Sequence, residues 1–104
     1  MRSPVIMTLS VLVVLVGAAR IAGAADEQGG KKLSDNSCAA CHGQKGIGLI
    51  PLYPNLAGQK RDYLAAQLRA FRDGSRRNPI MSPMAVHLSD SDIEDVAAYL
   101  ASLK

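Results

Sequence analysis

The chain of 104 residues has no tryptophan, one phenylalanine and three tyrosines. With Tyr53, Tyr63, Phe71 and Tyr99 as its whole aromatic complement, a small domain has little bulk from which to build a core. Cys38 and Cys41 are its only cysteines. That excludes the multi-disulfide framework by which small exported domains usually compensate for a thin core. A bridge between these two would close a tiny loop and constrain the unfolded chain weakly. No long run of one charge sign appears, and aromatic residues are not interleaved with basic ones, so nothing points to nucleic-acid binding. Residues 25–104 contain no internal repeat and no low-complexity segment. The fold therefore needs some other apolar filler.

What is present begins with a leader. Arg2 is followed by an apolar run from Val5 to Val16, then by small residues ending in Ala22-Gly23-Ala24. The run is short of the roughly 20 residues that span a membrane, and the small-x-small triplet suits a signal peptidase. The reading is a secretory signal peptide over residues 1–24, cut after Ala24 or alternatively after Ala25, and one domain over residues 25–104. Arg20 stands close to the cut and leaves an uncleaved anchor as the alternative. The whole-chain charge of +3 includes Arg2 and Arg20. Without them ten Lys and Arg face nine Asp and Glu, a net of +1.

Three helices are predicted in the domain. The first runs from Asp26, its cap, to about Cys41, with Leu33 as its clearest apolar anchor. Gly29 and Gly30 would each weaken an isolated helix by roughly 1 kcal/mol, which suggests that another element passes close to the backbone. Gly43 to Gln59, with four glycines and two prolines, reads as loop. The second helix spans Lys60 to Asp73, with Tyr63, Leu64, Leu68 and Phe71 at helical spacing and Gly74 just beyond its end. Ser75 to His87 is expected to be extended, stiffened by Pro79 and Pro83. The third helix starts at the cap Ser89, with Asp92 three residues on. Ile93, Val96, Ala97, Leu100 and Leu103 form its apolar stripe. The layout is all-α, with loops long enough to suggest that they wrap something.

The two cysteines stand in Cys38-Ala39-Ala40-Cys41-His42. A redox-active pair of the thioredoxin kind would want a strand before it, and none is predicted. A zinc site needs four ligands, which would require His87 and a carboxylate as well. A plain disulfide is the third use. The fourth is covalent haem, the reading that the C-x-x-C-H pattern favours. Thiols three residues apart on a helical turn point the same way, so each can add to one vinyl group of a porphyrin edge. His42 then follows as a ligand to the iron. A large flat apolar group would also supply the missing filler. For the sixth iron position the chain offers Met81 and Met84, in a segment rich in proline; His87 or an open position are the other options. A methionine sulfur there would raise the reduction potential by favouring the ferrous state.

Over nearly all of residues 30–103 the chain resembles the class I c-type cytochromes, most closely the small bacterial monohaem members and the single-haem halves of dihaem periplasmic cytochromes. The stretches that carry the likeness are "CAACHG", "YPNLAGQ", "YLAAQLRAFRDGSRRNPIM" and "LSDSDIEDVAAYLAS". The resemblance implies a class I cytochrome c fold: three main helices with long loops wrapped around one haem c, bound covalently through two thioethers to Cys38 and Cys41. It implies His42 and Met81 as the iron ligands. It places Gly29 or Gly30 against Tyr99 where the first and last helices cross, and a carbonyl in Leu49 to Pro51 as acceptor for the second His42 ring nitrogen. Arg76, Arg77 and Asn78 become candidates to reach a haem propionate.

With both axial positions filled by the chain, no substrate reaches the iron, and outer-sphere electron transfer is the remaining chemistry. The expectation is a periplasmic one-electron carrier between respiratory redox partners, docking transiently, and not an enzyme. Lys31, Lys32, Lys45, Lys60 and Arg61 are candidates for the docking patch. With the leader removed, no stable membrane insertion is expected. The alternatives are a haem c subunit of a larger dehydrogenase or oxidase and, further off, an open-site haem peroxidase or gas-binding protein.

Overall fold

The computed structural model describes residues 1–14, 17 and 24–104. Residues 1–14 have neither helix nor strand, and their apolar side chains are exposed. The expected cleavage triplet includes Ala22 and Gly23, which lie outside the described residues. Among the described residues, no helix is long and apolar enough to cross a membrane.

All regular secondary structure of the domain is helical, as expected, with residues 43–60 forming a long loop. Helix α1 (Glu27–Leu33) passes into a π-helical turn over Ser34–Cys38 and then into α2 (Ala39–His42), so one continuous run carries the motif. Asp26 caps α1 by accepting the Gln28 N–H at 3.0 Å. Helix α3 (Arg61–Asp73) ends at Gly74, whose φ of +86° is the left-handed conformation that favours glycine at a helix end. Helix α5 (Asp90–Ser102) opens with a full capping box: Asp92 N–H donates to Ser89 Oγ at 3.0 Å, and Ser89 N–H donates to Asp92 Oδ2 at 3.0 Å. Its acidic first turn complements the positive end of the helix dipole.

The Ser75–His87 segment departs from its expected extended form. Met81–Ala85 forms a short helix, α4. The reason lies in side-chain capping rather than propensity. Asn78 Oδ1 accepts the Ile80 and Met81 N–H groups, both at 2.9 Å, and Ser82 Oγ accepts the Asn78 N–H at 3.0 Å. Pro83 falls in the first turn, where a missing N–H costs nothing.

The core lies where α3 and α5 meet. Leu64 and Ala65 of α3 pack with Ile93, Val96, Ala97, Tyr99 and Leu100 of α5, joined by the partly buried Leu33, Cys38, Leu56 and Leu68. Burial of these apolar side chains is the main stabilising term. Tyr63, placed on the apolar face by periodicity, is 49% exposed; Ala65 takes its place in the stripe. Helices α1 and α5 cross at Gly30. A Cβ there would lie 2.0 Å from the Asp95 carbonyl oxygen and 2.9 Å from Tyr99 Cβ. The glycine–tyrosine contact is thus present, and it excludes any side chain at position 30. Asp95 closes the same crossing by accepting the Asp26 N–H at 2.8 Å. On the far side, Glu94 joins α5 to α3 through Arg69 at 2.7 Å and Arg61 at 2.9 Å.

Candidate functional site

Cys38 ends the π-helical turn, and Cys41 and His42 belong to α2, so the motif faces one region from a single helical run. Both thiols are partly buried and neither is in a disulfide. Burial pushes the Cys38 thiol up from its ordinary pKa.

His42 is 9% exposed, and its Nδ1 lies 2.9 Å from the Pro54 carbonyl oxygen. A carbonyl only accepts, so Nδ1 is the donor; in the neutral ring this leaves the lone pair on Nε2, the tautomer needed for ligation. The acceptor is Pro54, not the Leu49–Pro51 stretch expected from the resemblance. Leu49 contributes its N–H instead, donating to the Cys41 carbonyl at 3.0 Å. The chain then turns through the Tyr53 N–H to Ile50 carbonyl bond at 3.0 Å, which brings Pro54 back to the histidine.

Further bonds hold that loop in shape. The Gly46 carbonyl accepts from Leu56 and Ala57 at 2.7 and 3.0 Å, and Asn55 Oδ1 accepts the Gly48 N–H at 2.8 Å. The Gly58 N–H reaches the Leu100 carbonyl at 3.0 Å, fastening the loop to α5. Gly43, directly after His42, has φ +82°, and a Cβ on it would lie 2.2 Å from the Ile47 carbonyl oxygen. Only glycine lets the chain reverse so tightly behind the motif.

Met81 opens α4 and is partly buried, whereas Met84 is 43% exposed. The Asn78 side chain fixes the backbone at Met81, a role the sequence reading did not assign. Periodicity and propensity carry no sign of it; the Asn-Pro pair at 78–79 is the available signal. Arg76 is engaged elsewhere: its guanidinium lies 4.5 Å from the Phe71 ring centroid, and it donates to Gln67 Oε1 at 2.7 Å. His87 is exposed, and among the described residues no three of His, Cys, Asp and Glu gather to hold an ion. A groove of about 630 Å³ between the end of α3 and α4, lined by Phe71, Arg77 and Pro83, contains none of the motif residues. Of the basic residues considered for docking, Lys31 pairs with Asp35 and Arg61 with Glu94.

The donor set suits an iron porphyrin: two free thiols three residues apart, an imidazole with one nitrogen committed, and a thioether on a capped helix start. The surroundings suit it as well. Ile47, Leu49, Ile50 and Leu52 of the first loop and Ile80, Met84 and Val86 of the second are between 43% and 77% exposed. So many bare aliphatic groups in so small a domain call for an apolar cover.

Comparison with known proteins points the same way. The family model described as Cytochrome c matches residues 27–104. Cytochrome c-554(548) of Halomonas halodenitrificans is 52% identical over 69 residues, covering 64% of this chain and 83% of that protein. A thiosulfate dehydrogenase electron acceptor of Stutzerimonas stutzeri is 43% identical over 77 residues, 73% of this chain but 36% of its own length. The solved structure of Acidithiobacillus ferrooxidans cytochrome c4 superposes with a TM-score of 0.68 at 36% identity, over 79% of this chain and 53% of that one.

Proposed function

Because the chain belongs to the cytochrome c family, we propose that it is a periplasmic one-electron carrier whose haem c is held by Cys38 and Cys41 through two thioethers and by His42 and Met81 at the iron. Membership brings with it covalently bound haem c with iron, and a role in electron transfer rather than turnover of a substrate. The bound haem supplies a one-electron Fe(III)/Fe(II) couple.

The chain's own residues do the rest. The observation that best supports this reading is the His42 Nδ1 to Pro54 carbonyl contact of 2.9 Å, which leaves Nε2 free and holds the ring against rotation. Asn78 holds the backbone at Met81, so a weak thioether ligand needs little further ordering. Aliphatic side chains from both loops keep water from the group they cover, which favours the less charged ferrous state. Fixed ligands on both sides mean that little moves when the charge changes. Lys32, Lys45 and Lys60, all exposed, serve transient contact with redox partners, whose interfaces are small as a class.

A second reading has an observation of its own. The chain spans only 36% and 53% of two of the relatives it matches. As a haem c domain acting with a larger dehydrogenase, it would perform the same chemistry beside a permanent partner. Co-purification of the untagged protein separates the two readings.

The test is direct. The exported protein is coloured, keeps its pigment in acidified acetone, and begins at Ala25. A colourless product, or pigment extracted by acidified acetone, contradicts the covalent haem; an N-terminus at Met1 contradicts the cleaved leader.

A further inference from the structure

Ser34 is the most deeply buried polar side chain of the described residues, at 1% exposure. Its hydroxyl finds no hydrogen-bond partner among them. A helical serine ordinarily returns its hydroxyl to the carbonyl four residues back. Here the Gly30 carbonyl takes the Ser34 backbone N–H, and the hydroxyl stays out of that bond. A buried hydroxyl with no partner is unfavourable, and an alanine would fill the place without that cost. The position is internal, so solubility does not account for it.

Its place in the chain is specific. Ser34 opens the π-helical turn and Cys38 ends it. The Ala39 N–H donates to the Ser34 carbonyl, five residues back instead of four. Turns of this kind inside α-helices are rare and frequent at functional sites. Residues four apart on a helical run share a face, and Cys38 is itself partly buried against the core. Ser37 stands in the same relation to Cys41 but is exposed, so water satisfies its hydroxyl. The asymmetry singles out Cys38.

We propose that Ser34 is a positioning residue for the haem bond at Cys38: its hydroxyl, unpartnered in this structure, turns to donate a hydrogen bond to the cysteine sulfur as the haem is attached. The proposal rests on the haem reading above. During attachment the Cys38 sulfur bonds to one carbon of a vinyl group, the vinyl double bond is consumed, and the thiol proton ends on the other carbon. This is an addition and needs neither oxidant nor reductant. A donor at the sulfur favours the build-up of negative charge as the S–H bond breaks. It also fixes the direction of a side chain that must meet one particular vinyl group. After attachment the same hydroxyl holds the thioether.

The experiment compares wild type with Ser34→Ala, Ser34→Thr, Ser34→Val and Ser37→Ala. Each is produced as the full chain in a host that attaches haem c. Purified holoprotein is denatured and alkylated, and free Cys38 is counted by peptide mass. The position of the pyridine haemochrome band reports the number of saturated vinyl groups independently. Alkylatable Cys38 rises at least twofold in Ser34→Ala and Ser34→Val, with the band moved toward that of one thioether. Ser34→Thr and Ser37→Ala match wild type. Threonine and valine have the same shape, so their difference isolates the hydroxyl from packing. Equal alkylation in Ser34→Thr and Ser34→Val overturns the proposal. If neither folds, wild-type alkylation in Ser34→Ala overturns it alone. Wild type that lacks a haem bond at Cys38 would instead overturn the reading on which the proposal rests.

Discussion

The crossing of α1 with α5 and the two loops that flank the motif are built on different principles. At the crossing, local and global signals agree. Asp26 and Ser89 cap, the α5 stripe packs, and Gly30 admits the Asp95 backbone. Such consistency makes a region stable and also readable from sequence. The loops have few buried apolar side chains and are held by scattered hydrogen bonds: His42 to the Pro54 carbonyl, Leu56 and Ala57 to the Gly46 carbonyl, Ile80 and Met81 to the Asn78 side chain. Their aliphatic groups stay bare until something covers them. One region therefore shapes itself, and the other is shaped to receive a group.

That difference can be broken at several points. Ile93 is fully buried at the centre of the core, and Ile93→Ala should cost about 2–5 kcal/mol in denaturant unfolding, with the ligand spectrum unchanged in the folded fraction. Gly30→Ala forces a Cβ against the Asp95 carbonyl and should cost about 1–3 kcal/mol. Asn78→Ala removes the acceptor of two backbone N–H groups and should cost about 1 kcal/mol. Its distinguishing effect is spectroscopic: the iron–sulfur charge-transfer band of the oxidised protein weakens, which Ile93→Ala does not cause.

The smallest effect is electrostatic. Hydrogen bonds from Arg69 and then Arg61 hold the Glu94 carboxyl below its ordinary pKa of 4.5. A carboxylate depressed in the folded state stabilises it above the unfolded pKa and loses that contribution as pH falls through the folded one. Glu94→Gln should therefore be less stable than wild type by under about 1 kcal/mol near neutrality. The gap closes as pH drops below about 4.5, as urea titrations at several pH values would record.

The same contrast explains what could be read from the sequence. Helix ends at Asp26, Gly74 and Ser89, the α5 stripe and the C-x-x-C-H motif all follow local rules, and all are found. The Met81 segment reads as extended because its proline content outweighs a capping asparagine that propensity does not see. The His42 acceptor shifts from Leu49–Pro51 to Pro54 because loop hydrogen bonds, not composition, decide which carbonyl returns to the ring. Nothing in the spacing of Ser34 marks the wide turn it opens; that turn becomes visible only once α1 is packed on α5.

In the proposed site His42 and Met81 close the iron from both sides. Visible spectra of the oxidised protein and of the reduced protein under carbon monoxide, for wild type, Met81→Ala and Met84→Ala, address it most directly. The iron–sulfur band should be present in wild type and Met84→Ala and lost in Met81→Ala, and only Met81→Ala should bind carbon monoxide. A band that survives Met81→Ala and disappears in Met84→Ala, or a wild type that takes up carbon monoxide, contradicts it.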